Sequence, residues 1–200
     1  MIKNYIFDFG DVLINLDKSA TAKELQKLGA VDFTTEMSEK NQLYEKGLIT
    51  TEVFIDFYQT KFTKTSREEL KNAWNKILLD FPLYRLEFIE KFSKKNRCFL
   101  LSNINEMHLD FIKNQLGNSF YNRFYNCFEK VYYTHEINLR KPDTEIFEFV
   151  LRDKNLIANE CFFIDDTKEN TDIASKLGFK CWNINPNAED IIHLKNNLIR

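Results

Sequence analysis

Three short apolar runs, each stopped abruptly by polar residues, constrain the fold of this chain more than any other feature. They occupy residues 5–7, 100–101 and 162–164, and they end at Asp8, Ser102 and Asp165. Apolar runs of this kind are typical of buried strands. In open α/β sheets, ligands bind just outside the carboxyl ends of the strands. Polar residues at these three ends are therefore well placed for chemistry.

Helical patterns follow the apolar runs and complete an alternation of strands with helices. Strands are predicted at residues 2–7, 98–101, 131–133, 161–164 and 180–184. Helices are predicted from Pro82, from Asn103 or Asn105 to Gly117, and over residues 142–153, 169–177 and 188–198. Such an alternation indicates a parallel sheet covered by helices on both faces. The sequence therefore predicts an α/β fold with a Rossmann-like parallel sheet.

The stretch between the first and second predicted strands has a different pattern. Apolar residues recur there at helical spacing, and no strand-like alternation occurs. Ser66, followed by Glu68 and Glu69, is typical of a helix N-terminus. We therefore predict an α/β core domain over residues 1–15 and 81–200, with a bundle of short helices inserted over residues 16–80.

Charge and composition narrow the classes of function. The chain has 28 basic and 30 acidic residues and a net charge of −2, which argues against a general binder of nucleic acids or membrane surfaces. Its four cysteines lack the spacing of metal fingers or redox pairs, so we expect free thiols in a reducing compartment. The sequence starts directly with a strand-like run and has no apolar stretch of membrane-spanning length. These features predict a cytoplasmic protein.

Four short motifs occur in a fixed order along the chain. They are Asp8-Phe9-Gly10-Asp11-Val12, Ser102-Asn103, Arg140-Lys141-Pro142 and Asp165-Asp166. Together they resemble the motifs of the haloacid dehalogenase-like hydrolases, most of which are Mg²⁺-dependent phosphatases. The first motif is most similar to the Asp-x-Gly-x-Val branch, which includes a bacterial glucose-1-phosphate phosphatase. The resemblance implies the parallel-sheet core, a helical cap domain at residues 16–80, and hydrolysis of phosphoric monoesters.

The acidic residues at the strand ends predict a metal site. If the ends are adjacent, Asp8, Asp165 and Asp166 repel one another unless a cation lies between them. Mg²⁺ suits such a site, because it prefers hard oxygen ligands and accepts a few carboxylates together with water and a substrate phosphate. The resemblance implies that Asp8, the Gly10 carbonyl and Asp166 contact Mg²⁺, with Asp165 close by or acting through water. It also implies that Asp8 is the nucleophile and forms an aspartyl-phosphate.

Three further residues are predicted to hold the phosphate. Ser102 and Asn103 end a strand and precede a helix, so their side chains and the following N–H groups can bind phosphate oxygens. Lys141 offers a compact positive charge, and Pro142 favours a helix start beside it. Taken singly, each has an alternative, which is helix capping for Ser102 and Asn103 and a solvated loop position for Lys141. The resemblance gives Ser102 and Lys141 catalytic roles. Weaker candidates are Arg140 for phosphate, and Thr167 and Asn170 for supporting hydrogen bonds.

Gly10 departs from the family pattern. Most phosphatases of the family carry a second Asp at this position, which protonates the leaving oxygen and later activates water. The general acid/base is therefore unassigned. Asp11, Asp17 and a water held by the metal are the candidates.

The leading prediction is a Mg²⁺-dependent phosphatase for a small phosphorylated metabolite, such as a sugar phosphate. A hydrolytic haloacid dehalogenase is one alternative, but that chemistry needs no metal and the paired acids disfavour it. A non-catalytic binding or regulatory protein on the same fold is the other, and Gly10 is its main support. We expect no nucleic-acid or membrane partner, and a monomer or weak homodimer.

Overall fold

A five-stranded parallel sheet forms the centre of the computed structural model, which describes residues 1–29 and 34–198. Its strands are β1 (Asn4–Phe7), β2 (Arg97–Ser102), β3 (Lys130–Tyr133), β4 (Cys161–Asp165) and β5 (Lys180–Asn183). Their order across the sheet is β3-β2-β1-β4-β5, so that β1 is central. The predicted α/β fold with a Rossmann-like parallel sheet is confirmed.

Ten helices accompany the sheet within the described residues. Four follow β1 directly, namely α1 (Ala20–Lys27), α2 (Thr35–Glu45), α3 (Thr51–Lys61) and α4 (Arg67–Asn75). The other six are α5 (Leu83–Ser93), α6 (Glu106–Tyr125), α7 (Thr134–Ile137), α8 (Thr144–Asp153), α9 (Lys168–Lys176) and α10 (Leu194–Asn197). No described helix is long and apolar enough to cross a membrane.

The two faces of the sheet bury separate apolar clusters. Side chains alternate along a strand, so Tyr5 and Phe7 lie on one face of β1 and Ile6 on the other. The first face packs against α5, α6 and α10, and the second against α8 and α9. Phe7 and Phe163 are completely buried, and each such side chain contributes about 1.5–3 kcal/mol of transfer free energy. This packing on both faces fixes the carboxyl ends of the strands at one edge of a rigid layer.

Helices α1–α4 pack around an apolar cluster of their own. Four aromatic residues form its centre, with ring centroids 4.3–5.2 Å apart: Tyr44, Phe54, Tyr58 and Trp74. Helix α4 begins with a capping box, in which Ser66 accepts from the N–H of Glu69 and the Glu69 carboxylate accepts from the N–H of Ser66. The sequence signal at Ser66 is therefore confirmed, and the described chain between β1 and α5 contains helices and isolated bridges but no strand.

Two adjacent connections join these four helices to the sheet. Leu16 and Leu78 form an isolated antiparallel bridge. The N–H of Asn15 donates to the carbonyl of Asp80 at 2.9 Å, and the N–H of Leu79 donates back to Asn15 at 3.0 Å. The chain thus leaves and re-enters the sheet layer side by side, immediately after the strand that carries Asp8.

Two predicted helices differ from those observed. Gly117 was expected to end a helix, but α6 continues to Tyr125 after a break at Gly117, where φ is +74°. Glycine tolerates that backbone, so it interrupts the helix without ending it. The helix predicted over residues 188–198 is reduced to a 3₁₀ turn at Ile191–His193 and the short α10. Asp190 caps the 3₁₀ turn with an extended backbone, which excludes an earlier helix start.

The region around Lys141 also differs from expectation. Pro142 does not begin a helix, because α8 starts at Thr144 with Asp143 as its N-cap. The short helix α7 directly follows β3 and was not predicted. It spans about one turn, which is too short to produce a helical apolar stripe.

Candidate active site

The sheet brings Asp8 and Asp165 together through its register. Phe7 on β1 is paired with Ile164 on β4, and the next residue on each strand is an aspartate. The N–H of Asp8 donates to the carbonyl of Ile164 at 2.8 Å, which extends the ladder to the end of the strands. Two carboxylates are therefore side by side at the carboxyl edge of the central strands.

Asp166 completes a cluster of three carboxylates. One oxygen from each of Asp8, Asp165 and Asp166 lies within 4.8 Å of the others. Asp165 is fully buried and Asp8 is 8% exposed. Closely spaced hard oxygen donors on a rigid edge match the preferences of Mg²⁺, which binds few protein carboxylates and retains water and phosphate ligands. The three carboxylates predicted as metal ligands therefore fit the ion, and the role of the Gly10 carbonyl stays a prediction.

Lys141 reaches the same cluster from the loop after α7. Its Nζ donates to Asp8 Oδ1 at 2.7 Å and to Asp165 Oδ2 at 2.6 Å, and the residue is 1% exposed. Burial disfavours its charge, but Asp165 and Asp8 outweigh this effect and raise the pKa of Lys141 above its usual value. The sequence alternative, a solvated loop lysine, is wrong. Lys141 is a buried, charged partner of the predicted nucleophile.

The carboxyl group of Asp8 has an unusual affinity for protons in this arrangement. Burial raises the pKa of Asp8 to about 7, against the opposing effect of Lys141 and with a further increase from Asp165. A divalent cation beside Asp8 favours its charged form, as any nearby positive charge does. A bound cation therefore favours the state in which Asp8 can act as a nucleophile.

Asn103 fixes the backbone that carries Lys141. Its Nδ2 donates to the Lys141 carbonyl, and its Oδ1 accepts from the Lys141 N–H, both at 2.9 Å. These two bonds use the carbonyl oxygen and one N–H of the amide. Asn103 is therefore a positioning residue for Lys141, and its predicted contact with substrate stays a prediction.

Ser102 ends β2 at the same edge of the sheet. Its partner in the adjacent strand β3 is Tyr133, and β2 lies directly beside β1. The hydroxyl makes no hydrogen bond within residues 1–29 and 34–198. It is thus placed at the site with its bonding capacity unused.

Asp165 is held by the start of α9. Its Oδ1 accepts from the N–H of Thr167 at 2.8 Å, and Asn170 donates to both of its oxygens at 3.0 Å. Asn183 donates to the backbone carbonyls of Asp165 and Asp166 at 3.2 and 2.9 Å. The predicted supporting bonds of Thr167 and Asn170 are therefore present, whereas Asn183 was missed. Both oxygens of Asp165 are thus engaged by Asn170, Thr167 and Lys141, so Asp165 mainly orients Lys141.

The turn after Asp8 brings Gly10 close to the start of the connection to the helices. A Cβ at Gly10 would lie 2.7 Å from Leu16 Cδ1, at the start of the connection to the helices. Asp11 has a left-handed backbone with φ of +54°, and its Oδ1 accepts from the N–H of Leu16 at 3.0 Å. The Asp11 carboxylate therefore stabilises the turn.

Asp17 is poorly suited to donate a proton. Hydrogen bonds from the hydroxyl and N–H of Ser19 lower the pKa of Asp17. A carboxyl group that holds its proton weakly is charged at neutral pH. The structure therefore argues against the acid role considered for Asp17.

Two basic residues have partners that the sequence did not indicate. Lys18 contacts Asp166, and its Nζ lies 3.2 Å from Asp11 Oδ2. Arg140, a weaker phosphate candidate, instead pairs with Glu45 of α2 at 3.1 Å. Neither contact has a sequence signal, since both join residues far apart in the chain.

Comparison with known proteins identifies the fold and its chemistry. A sequence model described as a haloacid dehalogenase-like hydrolase matches residues 5–184. The chain belongs to this family. The prediction of a hydrolase of this family is therefore confirmed, and the matched residues include all four motifs.

Individual relatives of this hydrolase cover nearly its whole length. D-ribitol-5-phosphate phosphatase of Bacteroides thetaiotaomicron is 29% identical over 191 residues, which are 91% of each chain. A haloacid dehalogenase family enzyme of the same species was crystallised with magnesium and inorganic phosphate. It has a TM-score of 0.82 and 34% identity, with 97% of this chain and 99% of that chain covered. A HAD-like family hydrolase of Porphyromonas gingivalis has a TM-score of 0.87 and 27% identity, and the match covers 100% of this chain and 98% of that chain.

Proposed function

We propose that this hydrolase is a Mg²⁺-dependent phosphatase that acts on a small phosphorylated metabolite, a sugar or polyol phosphate. One observation carries the proposal: the buried ammonium of Lys141 bridges Asp8 and Asp165, next to a third carboxylate at the edge of the sheet. Phosphoryl transfer needs a nucleophile and positive charge around the moving group. The magnesium in the Bacteroides structure and the phosphatase named among the relatives support this function.

Asp8 is the proposed nucleophile. One carboxylate oxygen attacks phosphorus and forms the O–P bond of an aspartyl-phosphate, while the ester bond breaks and the leaving oxygen takes a proton from solvent. Water then attacks the same phosphorus, the Asp8 O–P bond breaks, and inorganic phosphate is released. Asp8 returns as a carboxylate.

Lys141 and Ser102 are proposed to bind the transferred group. The ammonium of Lys141 offsets the negative charge of Asp8 and of the phosphoryl oxygens, and it also orients the attacking carboxylate. The Ser102 hydroxyl is free to donate to a phosphoryl oxygen. Mg²⁺ held by Asp8, the Gly10 carbonyl and Asp166 supplies further positive charge and orients the phosphate.

Residues 16–80 are proposed to be a cap domain that covers this site. Their helices pack around an apolar cluster that Met107 of α6 joins. The first connection follows β1, and the second pairs with it at Leu16 and Leu78. A cleft under such a cap suits a small ligand and excludes a folded protein. The named substrate of the Bacteroides relative, a pentitol phosphate, defines the first compounds to test. Action in the cytoplasm as a monomer or weak homodimer stays a prediction.

The test is a hydrolysis assay with and without Mg²⁺. The panel contains an aryl phosphate, pentitol and hexose phosphates, and a 2-haloacid. We expect phosphate release that needs Mg²⁺ and is fastest with one sugar or polyol phosphate. Halide release without metal would instead indicate a dehalogenase. Failure on every compound, with Mg²⁺ present, would favour a non-catalytic protein.

A further inference from the structure

Lys18 occupies a position that the proposed mechanism does not use. It lies between Asp17 and Ser19, in the connection that leaves the sheet and enters α1. Both neighbours are fixed, because Asp17 donates its N–H to Ile77 at 2.9 Å and accepts from Ser19. The ammonium of Lys18 is therefore directed back to the carboxylate cluster by an anchored backbone.

Two lysines contact different carboxylates of the site. Lys141 is bonded to Asp8 and Asp165, but not to Asp166. Lys18 contacts Asp166 Oδ2 and lies 3.2 Å from Asp11 Oδ2. Both carboxylates raise the pKa of Lys18, although partial burial opposes them. Lys18 is thus the cation that neutralises Asp166 in this structure.

Asp166 is also a proposed metal ligand, and its Oδ2 faces Lys18 while its Oδ1 lies 3.4 Å from the hydroxyl of Thr167. An ammonium group and Mg²⁺ that share one carboxylate carry like charges, which repel each other at short distance. Asp11 offers Lys18 a second carboxylate, whose Oδ1 is bonded to Leu16 and whose Oδ2 faces the ammonium. The lysine can therefore leave Asp166 while keeping one partner.

We propose that Lys18 competes with Mg²⁺ for Asp166, so that metal loading releases the first cap connection from the site. This inference rests on the proposed function only for the identity of the metal. Lys18 acts as a positioning residue, because it touches a ligand of the metal and belongs to the connection on which the cap moves. In metal-free protein, Lys18 holds the connection between β1 and α1 against the carboxylates. In metal-bound protein, Lys18 is displaced and the connection is released. Lys18 lies only ten residues after Asp8 in the chain, so metal binding and release of the connection involve the same short segment.

The test compares Mg²⁺ affinity in three proteins by calorimetry, without substrate. Lys18→Met keeps most of the side-chain length and removes the charge. Lys23→Met removes the same charge from an exposed residue on α1 that has no ion pair among the described residues. We expect the Kd for Mg²⁺ to fall about two- to fivefold in Lys18→Met, the size of an ion pair with one solvated partner, and to stay near wild type in Lys23→Met.

Thermal unfolding provides a second readout. Lys18→Met should lower the Tm of the metal-free protein, because Asp166 and Asp11 lose a cation, and leave the Tm at saturating Mg²⁺ unchanged. The gain in affinity should shrink at high salt, since the Lys18 side chain is 55% exposed to solvent. Equal affinities in Lys18→Met and Lys23→Met would overturn the proposal. Wild-type protein that binds Mg²⁺ without hydrolysing phosphoesters would contradict the proposed function alone, whereas no Mg²⁺ binding would contradict both.

Discussion

At the scale of single residues, the proposed chemistry depends on a buried ammonium between two carboxylates. Lys141 is 1% exposed, so its charge requires both Asp8 and Asp165. Breaking a buried pair by removing one partner is costly because the other charge remains unpaired. A variant of Asp8 must therefore keep a hydrogen-bond acceptor for Lys141 if catalysis is to be separated from folding.

Asp8→Asn meets this condition. The amide oxygen can still accept from Lys141, and Asp165 still pairs with the ammonium, so the variant should fold. Removal of the nucleophile should lower kcat by several orders of magnitude, about 10³-fold or more. The matched control is Asp110→Asn on the exposed face of α6, which should keep wild-type kcat. Retention of a tenth or more of the wild-type rate by Asp8→Asn would show that Asp8 is not the nucleophile.

The sequence predicted which residues lie at the site, but it did not predict most of the hydrogen bonds and ion pairs between them. Asp8, Lys141 and Asp165 belong to motifs, and parallel strands necessarily bring their carboxyl ends to one edge. Lys18 and Asn183 carry no motif, and their contacts depend on the path of the connection from β1 to α1 and on β5. The expectation that metal-free carboxylates simply repel was also incomplete, because the positions of two lysine ammonium groups could not be derived from the sequence.

At the scale of elements, the end of α2 is attached to the loop that carries Lys141. Gly47 has φ of +64°, and a Cβ there would lie 2.0 Å from the carbonyl oxygen of His135. Asn138 donates to the carbonyl of Lys46 at 2.8 Å, and the Lys46 ammonium pairs with Asp143 at 2.7 Å. This close approach of two backbones requires glycine.

Gly47→Ala should therefore separate α2 from α7. We expect a loss of at least about 1–2 kcal/mol in the free energy of unfolding, from the left-handed backbone and from the contact with His135. Gly29→Ala is the control, since Gly29 also has positive φ and a Cβ there would meet no described atom within 4 Å. Denaturant unfolding measures both. A loss in Gly47→Ala no greater than in Gly29→Ala would show that the close approach is unimportant.

His108 links α6 to α4. Its Nδ1 accepts from Asn105 at 3.2 Å, and its Nε2 donates to the carbonyl of Trp74 at 3.1 Å. Protonation of Nδ1 would oppose the Asn105 amide, and burial lowers the pKa of His108 to about 4. The neutral ring is therefore the native form.

Acid should weaken this link. The pKa of His108 is lower in the folded protein than its unfolded value of about 6.5. The contribution of neutral His108 to stability is therefore complete above about pH 6.5 and is lost as the pH falls toward 4. We expect wild type to lose about 1–3 kcal/mol more than His108→Gln over this interval. The raised pKa of Asp8 acts in the opposite direction but is common to both proteins. The measurement is the free energy of unfolding in urea as a function of pH. Parallel profiles for wild type and His108→Gln would contradict the role given to neutral His108.

Secondary structure was predictable where the apolar period was long. The five strands and helices α3, α4, α5 and α9 follow apolar stripes or runs in the sequence. The end of α6 was missed because Gly117 is compatible with both a stop and a break. The last helix was overestimated because Asp190, bonded to Arg85 on α5, starts it late, and a tertiary contact of that kind leaves no local signal.

At the scale of the whole molecule, metal binding should stabilise the fold. A ligand that binds only the folded state adds about 2.7 kcal/mol at one hundred times its Kd, and about 2–4 °C of Tm accompanies each kcal/mol in a chain of this size. We expect Mg²⁺ to raise the Tm by several degrees and Asp166→Ala to abolish the rise. Asp172→Ala, an exposed acid on α9, should keep it. If Mg²⁺ raised the Tm of Asp166→Ala as much as that of wild type, Asp166 would not be a ligand of the metal.

The central claim is that Asp8 carries the phosphoryl group during turnover. The most direct measurement is acid quenching of the enzyme with Mg²⁺ and its best phosphoester, followed by mass spectrometry of peptides. The account predicts a phosphoryl adduct on the peptide that contains Asp8, and its absence in Asp8→Asn and in samples without Mg²⁺. An active enzyme whose phosphoryl adduct lies on another residue, or whose Asp8→Asn variant still forms the adduct, would contradict it.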